Sequence, residues 1–421
     1  MPYDDPWASP PATGSNHRAE PGEGVPPVLQ FLTKLRAHPD YKDQICHVQR
    51  YEARPPQFKE FADLVSKCGK PLLSRSTLEA LKGQLGIDKF FVHQHAALSA
   101  VMGEEKHLCL TTGTSSGKSL AFALPILEAF RRDQSSKALI LFPTKALAQD
   151  QLGKLQRLFK AVCPALQVCT FDGDTPKAER AGLLKSCHVF LTNPDMLHFT
   201  ILPSNTSWRH VLQNLRYVVL DEAHVFRGSF GTHVALLLRR FRRVLVHHGV
   251  SPLFIACSAT IVNARSFFQQ LLALQNGNEV AVVDEDTAGR GDRDFCLWNP
   301  PAIDTGDNEG GGLEEAIHKR EELNARKRAR HGEREGNRAA PSLPPGVGYR
   351  TRSSPYDEAA WLVAQAMRQG HRTVCFLQVR AMVEIVLQAT HNFLEDDPAL
   401  QRRVAGYRGG YAAAERRRLE Q

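Results

Sequence analysis

The sequence predicts an α/β fold: a parallel sheet with helices on both faces, followed by the start of a second unit of the same kind. Three observations predict it. Continuously apolar runs alternate with stretches of helical periodicity through the middle of the chain, which is the pattern of strands buried on both faces. A loop rich in Gly, Ser and Thr joins an apolar run to a helical one between Leu108 and Leu124. The chemically loaded residues fall just after strand candidates, where ligands sit in such sheets.

The loop reads Thr112-Gly113-Thr114-Ser115-Ser116-Gly117-Lys118-Ser119. Small residues let backbone N–H groups turn inward around a β-phosphate, and the helix that follows presents its positive end to the anion. Lys118 is then expected to reach the β- and γ-phosphates and the Ser119 hydroxyl to hold Mg²⁺. A strict phosphate-loop pattern asks for glycine five residues before Gly117; this chain has Thr112 there and Gly113 one step later.

At 421 residues there is room for two or three domains, and with 42% hydrophobic residues the chain can bury a sizeable core. A net charge of +8 suits a polyanionic partner without requiring one. The nine cysteines are scattered, with no C-x-x-C pair, so neither a zinc site nor a disulfide framework is indicated. No signal peptide opens the chain, and no apolar run nears the roughly 18 residues that span a bilayer. A soluble, intracellular protein with no membrane partner is expected.

Residues 1–27 are Pro-, Gly- and Asp-rich without periodicity, the composition of a disordered tail. Residues 28–89 turn helical in pieces, as in Val28-Leu29-x-x-Leu32-x-x-Leu35 and Leu78-x-x-Leu81-x-x-x-Leu85, and read as accessory helices before a main domain at 90–301. Gln94, behind Phe90-Phe91, has an amide suited to an adenine edge beside a stacking ring. Strands are expected at Ala138–Phe142, Val168–Phe171, His188–Leu191, Tyr217–Leu220 and Leu253–Cys257, with helices over Leu147–Phe159 and Val234–Val246. The strand ending at Leu220 delivers Asp221 and Glu222. Asp221 is placed to take Mg²⁺, directly or through water, and Glu222 to polarise the water that attacks the γ-phosphate. His224 is a candidate relay. An isolated Asp-Glu pair is as readily a solvated helix cap; the phosphate loop about a hundred residues upstream decides for the metal. Ser258 and Thr260 follow the last strand, as hydroxyls that can bond the carboxylate pair.

In order and spacing these segments resemble the superfamily-two helicases of the DEAD/DEAH type: Gln94, the loop to Ser119, Pro143-Thr144-Lys145-Ala146-Leu147-Ala148, Asp221-Glu222-Ala223-His224 and Ser258-Ala259-Thr260. A narrower likeness is to the Hrq-type, RecQ-like DNA repair helicases. It is carried by Asp172-Gly173-Asp174-Thr175, Leu191 through His198, Asp221 through Arg240, Val283-Asp284-Glu285-Asp286, Trp298-Asn299-Pro300-Pro301 and Tyr407-Arg408-Gly409-Gly410-Tyr411. The resemblance implies a RecA-like ATP-binding domain and an ATP- and Mg²⁺-dependent 3′-to-5′ DNA helicase of excision and crosslink repair. It also implies that Gln94 reads adenine and that Ser258 and Thr260 couple hydrolysis to strand movement. Thr144, Lys145, Asp174, Thr175, Thr192, Asn193, Pro194 and Asp195 would face the nucleic-acid backbone, where a lysine suits phosphate. The motor motifs alone do not choose DNA over RNA.

The chain stops at Gln421, roughly where a second motor domain over 355–421 would be half built, with a strand at Thr373–Leu377 and a helix at Ala381–Ala389. The family's later segments, with the arginine finger and the cysteine-rich zinc region, are not in it. The alternative expectation is therefore a nucleotide- and nucleic-acid-binding chain without efficient turnover. Residues 302–354 read as a disordered charged insertion, whose Arg326-Lys327-Arg328-Ala329-Arg330 is equally a nuclear import signal or a solvated charge run. On that cluster rests the expectation of a nuclear location. Arg239-Arg240-Phe241-Arg242-Arg243 lies on an amphipathic pattern and reads first as a solvated helix face.

Overall fold

The computed structural model describes residues 27–259, 261–274, 280–302 and 352–407. Thr260, the tail at 1–26, most of the insertion with Arg326–Arg330, and Arg408–Tyr411 lie outside them. The chain divides into two compact units, Glu52–Asp292 and the segments on either side of it. Helix α1 (Pro27–Arg36) and strand β1 (Ile45–Tyr51) come first and belong to the flanking unit.

The larger unit opens with β2 (Phe58–Glu60), α2 (Arg75–Leu85), β3 (Lys89–Phe91) and α3 (Val92–Leu98). There follow β4 (His107–Thr111), α4 (Lys118–Arg132), β5 (Lys137–Leu141), α5 (Lys145–Val162) and β6 (Val168–Thr170). Next come α6 (Lys177–Ser186), β7 (Val189–Thr192), β8 (Leu215–Leu220) and α7 (Gly228–His247). The unit closes with β9 (Leu253–Ser258), α8 (Ala264–Leu272) and β10 (Val280–Val283). Seven strands pair in the order β10-β4-β9-β8-β5-β7-β6, each pair parallel. The expected parallel sheet is present; β5 to β9 lie within two residues of the five expected strands, and β10 is an addition to them.

Why the runs are continuously apolar is visible in the packing. Along β9, Phe254 and Ala256 join one core and Ile255 and Cys257 the other; β5 and β8 split the same way, Leu139 against Ile140 and Val218 against Val219. Side chains alternate across a sheet, so only a strand with both faces covered needs every position apolar. One face is closed by α4 and α5, with Leu81 of α2; the other is closed by α7 and α8. Val234, Leu237, Phe241 and Leu245 are buried, as the helical spacing requires, while Arg239 and Arg243 point to solvent. Arg242 differs: its guanidinium donates to the Leu272 and Ala273 carbonyls at the end of α8, where the last carbonyls of a helix lack partners.

The flanking unit corrects the expected domain boundary. Within the stretch 28–89, read as accessory helices before the main domain, residues 45–51 form a strand instead: β1 runs antiparallel to β11 (Arg293–Trp298), from Ile45 opposite Trp298 to Tyr51 opposite Arg293. Leu32 and Leu35 pack with Trp361 of α9 (Pro355–Arg368). Glu358 accepts from the Trp298 indole N–H at 2.8 Å. The helix expected at Ala381–Ala389 is α10 (Arg380–Phe393). The strand expected at Thr373–Leu377 is absent: the run has β-forming residues but no ladder partner among the described residues, and Val374 and Phe376 are exposed. No described helix is long and apolar enough to cross a membrane.

Candidate functional site

Strands β4, β9 and β8 lie side by side, with Thr111 opposite Ser258 and Leu220 opposite Ala256. Their carboxyl ends therefore set the Thr112–Gly117 loop, Ser258 and the Asp221-Glu222 pair along one edge of the sheet. Lys118 is near enough to Asp221 to stabilise its carboxylate electrostatically. The two groups thus occupy the same side, as a shared phosphate–metal ligand needs.

The loop makes its turns with left-handed residues at Ser115 (φ 61°) and at Gly117 (φ 76°), which precedes the first turn of α4. Gly117 is required twice over, since a Cβ there would stand 2.4 Å from the Gln94 amide nitrogen. Thr112 Oγ1 and Ser116 Oγ are 2.7 Å apart, and the Ser116 hydroxyl bonds the Gly113 carbonyl at 2.9 Å. Lys118 Nζ donates to the Thr112 and Gly113 carbonyls at 3.0 and 2.7 Å, so its ammonium lies within the curve of the loop. Thr114, Ser115 and Ser119 are exposed.

Gln94 departs from expectation. Its Oε1 accepts the Phe91 N–H at 3.0 Å and its amide nitrogen donates to the Gly117 carbonyl at 3.0 Å. At 3% exposure, the amide is committed to the loop and not free for a base edge. Beside it, Phe58, Phe91 and His93 form a stack with successive centroids 5.1 and 5.5 Å apart, and Phe58 is half exposed at its outer end.

At the acidic pair, burial raises the Asp221 carboxyl to about 6, against the N–H of Glu222, which bonds it at 3.0 Å. A cation in front of this group would reverse that shift. Glu222 adopts φ 50°, a left-handed backbone that few L residues take. His224 Nδ1 stands 3.2 Å from Glu222 Oε2 but out of line for a hydrogen bond. The N–H of His224 donates to Ser258 Oγ at 3.1 Å, joining β8 to β9 at their ends.

The expected nucleic-acid residues divide. Thr144 caps α5, its hydroxyl accepting from the Leu147 N–H, and is exposed. Lys145 forms a two-point ion pair with Asp174 at 2.9 and 3.0 Å, on the surface. Asp174 and Thr175 are themselves arranged by buried Asp172, which accepts from the Asp174 N–H and whose N–H donates to the Thr175 hydroxyl. Asn193 caps the short helix at Pro194–Met196, and Asp195 is exposed. Thr192 is buried, its hydroxyl donating to the Phe171 carbonyl at 2.6 Å, whereas Pro194, also largely buried, lines a surface cavity with Asp195 and His198.

Four residues that hold the loop escaped the sequence reading: His93, Asp286, Thr287 and Arg290. His93 bonds Ser116 O through Nε2 at 2.9 Å, and Asp286 accepts the Gly113 N–H at 3.0 Å. The sequence marks Val283–Asp286 as a segment of the narrower helicase likeness that follows an apolar run, but assigns Asp286 no place at the loop.

The donors fit a magnesium–triphosphate group: a lysine inside a loop of N–H donors, one hydroxyl on the helix that follows and one buried carboxylate opposite. Mg²⁺ bound to a substrate phosphate needs few protein oxygens.

Comparison with known proteins agrees with this geometry. The family model for the DEAD/DEAH box helicase matches residues 91–267. An uncharacterized ATP-dependent helicase, YprA of Bacillus subtilis, is 33% identical over 82% of this chain and 39% of its own length. The ATP-dependent helicase HRQ1 of Saccharomyces cerevisiae is 31% identical over 93% of this chain and 32% of its own. The crystal structure of the DUF1998 helicase MrfA bound to DNA superposes with a TM-score of 0.73 at 30% identity, over 92% of this chain and 47% of that one. MrfA bound to DNA and AMPPNP gives the same TM-score at 29% identity. The chain thus spans between a third and a half of the length of the proteins it matches. Residues 91–267 thus match the DEAD/DEAH box helicase family, and over most of its length the chain is similar to the Hrq-type helicases.

Proposed function

We propose that this chain binds Mg-ATP at the carboxyl edge of its seven-stranded sheet and forms the ATP-hydrolysing part of a DNA helicase that moves 3′ to 5′ and serves excision and crosslink repair. The observation that carries the proposal is the joint placement of Lys118 and Asp221, from strands one apart, on one side of the sheet. Lys118 leaves the loop carbonyls to bind β- and γ-phosphate oxygens. Ser119 and Asp221 would hold Mg²⁺, which when bound would supply charge neutralisation for the phosphate oxygens. Glu222 accepts the proton of the attacking water. The His224 N–H on Ser258 Oγ links that carboxylate's turn to the end of β9. Phe58 offers a ring face to the base. Lys145 exchanges Asp174 for a strand phosphate, a small cost for an exposed pair. DNA is favoured over RNA because MrfA is seen bound to DNA at 30% identity. The repair role and a nuclear location rest on the likeness to Hrq-type helicases and on the basic cluster of the insertion.

The test compares this chain with Lys118→Ala and Glu222→Gln. Lys118→Ala is expected to abolish binding of a fluorescent ATP analogue. Glu222→Gln is expected to keep binding and to lower DNA-stimulated ATP hydrolysis by about 10²–10⁴-fold. Equal binding by the unmutated chain and Lys118→Ala would refute the site.

A further inference from the structure

The segment after β10 takes no part in the chemistry above, yet it holds the phosphate loop at one point directly and at another through His93. Asp286 Oδ2 accepts the Gly113 N–H at 3.0 Å, and the Arg290 guanidinium closes on the same oxygen. Asp286 Oδ1 accepts the Ala288 N–H at 3.0 Å. One residue along, Thr287 Oγ1 accepts the His93 N–H at 3.1 Å and bonds the ring Nδ1 at 2.8 Å, while the far ring nitrogen reaches Ser116 O. The segment therefore holds the loop directly near its start, through Asp286 on Gly113, and indirectly near its end, through Thr287 on the His93 that reaches Ser116. That segment is itself tied down. The Arg54 and Arg290 backbones exchange two hydrogen bonds of 2.9 Å, and the Arg54 guanidinium bonds the Asp286 carbonyl.

Gly113 gives an independent reading of the same contact. Its φ does not call for glycine, but a Cβ there would stand 2.6 Å from Arg290 Nη2 and 2.7 Å from Asp286 Oδ2. The shifted glycine, one step later than a strict phosphate loop has it, is the space that the ion pair occupies. Burial works against the Asp286 carboxylate, but Arg290 and the two N–H groups outweigh it and hold its pKa below the ordinary value.

We propose that Asp286, neutralised by Arg290, is a positioning residue of the nucleotide site. It fixes Gly113, whose carbonyl holds Lys118, and so sets the loop in a binding shape before phosphate arrives. The pair does this without net charge; a carboxylate left alone here would repel the triphosphate. The inference rests on the ATP-site reading.

The test is titration of the whole chain with a fluorescent ATP analogue in Mg²⁺, alongside hydrogen exchange of the loop amides without nucleotide. Asp286→Ala is expected to weaken binding by about tenfold or more, the usual cost of a charge-assisted hydrogen bond, and to speed exchange over residues 113–118. Asp286→Asn keeps an acceptor for Gly113 and is expected to stay within a few-fold of the unmutated chain. Arg290→Ala leaves the bare carboxylate and should bind worse than the double variant Asp286→Ala/Arg290→Ala. Gly113→Ala should add nothing to Asp286→Ala, because both break one contact. Unchanged binding and loop exchange in Asp286→Ala, or an Arg290→Ala variant that binds no worse than the double, overturns the proposal. Failure of the unmutated chain to bind at all refutes the ATP-site reading, a result distinct from either.

Discussion

Glu222 holds φ 50°, where an L side chain crowds its own backbone by about 1–2 kcal/mol. Nothing in the packing of Ala223 or Phe226 needs a carboxylate at this position. The strain is explained if it aims an acid at the γ-phosphate side of the cleft, the kind of cost found at functional turns. Glu222→Gly is therefore expected to raise the thermal midpoint, by the few degrees that about 1 kcal/mol brings, while ATP turnover is lost. A lower midpoint in calorimetry would show that the carboxylate is structural. Residue identity and order single out Lys118 by its Gly/Ser loop and Asp221, Glu222 and Ser258 by their place after apolar runs, and the structure sets these segments along one edge of the sheet. They could not show that the Gln94 amide is turned onto Gly117, or that Thr192 is buried against Phe171. Side-chain direction depends on partners distant in the chain, and a motif does not contain them.

Elements read from periodicity survived best where both faces of the sheet are covered. In β5, β8 and β9 the central positions are apolar on both faces, so run and strand agree to within two residues. Thr373–Leu377 is equally β-forming and makes no strand among the described residues, because a ladder needs a neighbour and not only a propensity. Two element-level predictions follow from local geometry. Ala273, just past α8, has φ 51° with its N–H on the Gln269 and Gln270 carbonyls, a left-handed cap that glycine fills without strain. Ala273→Gly is expected to stabilise the chain by about 1 kcal/mol, read as a higher denaturant midpoint. His188, leading into β7, accepts the Gln167 N–H through Nδ1 at 3.1 Å and lies edge-on to Phe130. Burial first and Lys137 second push its pKa from 6.5 to about 4. Here the folded state binds the proton less readily than the unfolded one. Stability is therefore full above pH 6.5 and falls as pH drops from 6.5 to 4, by about 1–2 kcal/mol for a half-buried ring. His188→Asn keeps an acceptor and removes the titration, so its stability should be flatter across that window in denaturant titrations.

At the scale of the whole chain, the boundary of the nucleotide unit is set by a pairing that no local pattern announces. The chain enters the larger unit after Tyr51 and leaves it after Asp292. The two crossings are tied just inside that unit, where the Ala53 N–H meets Asp292 Oδ1 at 2.6 Å and Arg54 exchanges backbone bonds with Arg290. All the loop-holding residues, from Phe58 to Arg290, lie between these crossings. Residues 52–292 made alone should therefore unfold cooperatively and bind a fluorescent ATP analogue within about tenfold of the whole chain, a difference of 1.4 kcal/mol. Removing only residues 27–51 should do the opposite to the flanking unit. Strand β11 would lose the ladder to β1 and present an unpaired edge carrying Phe295 and Leu297, already half exposed. Such an edge recruits other chains. The expected outcome is association visible by light scattering, with nucleotide affinity unchanged in the soluble fraction. A monodisperse product that no longer binds nucleotide would instead place the support of the phosphate loop in the flanking segments and not in the collar at Arg54 and Asp286.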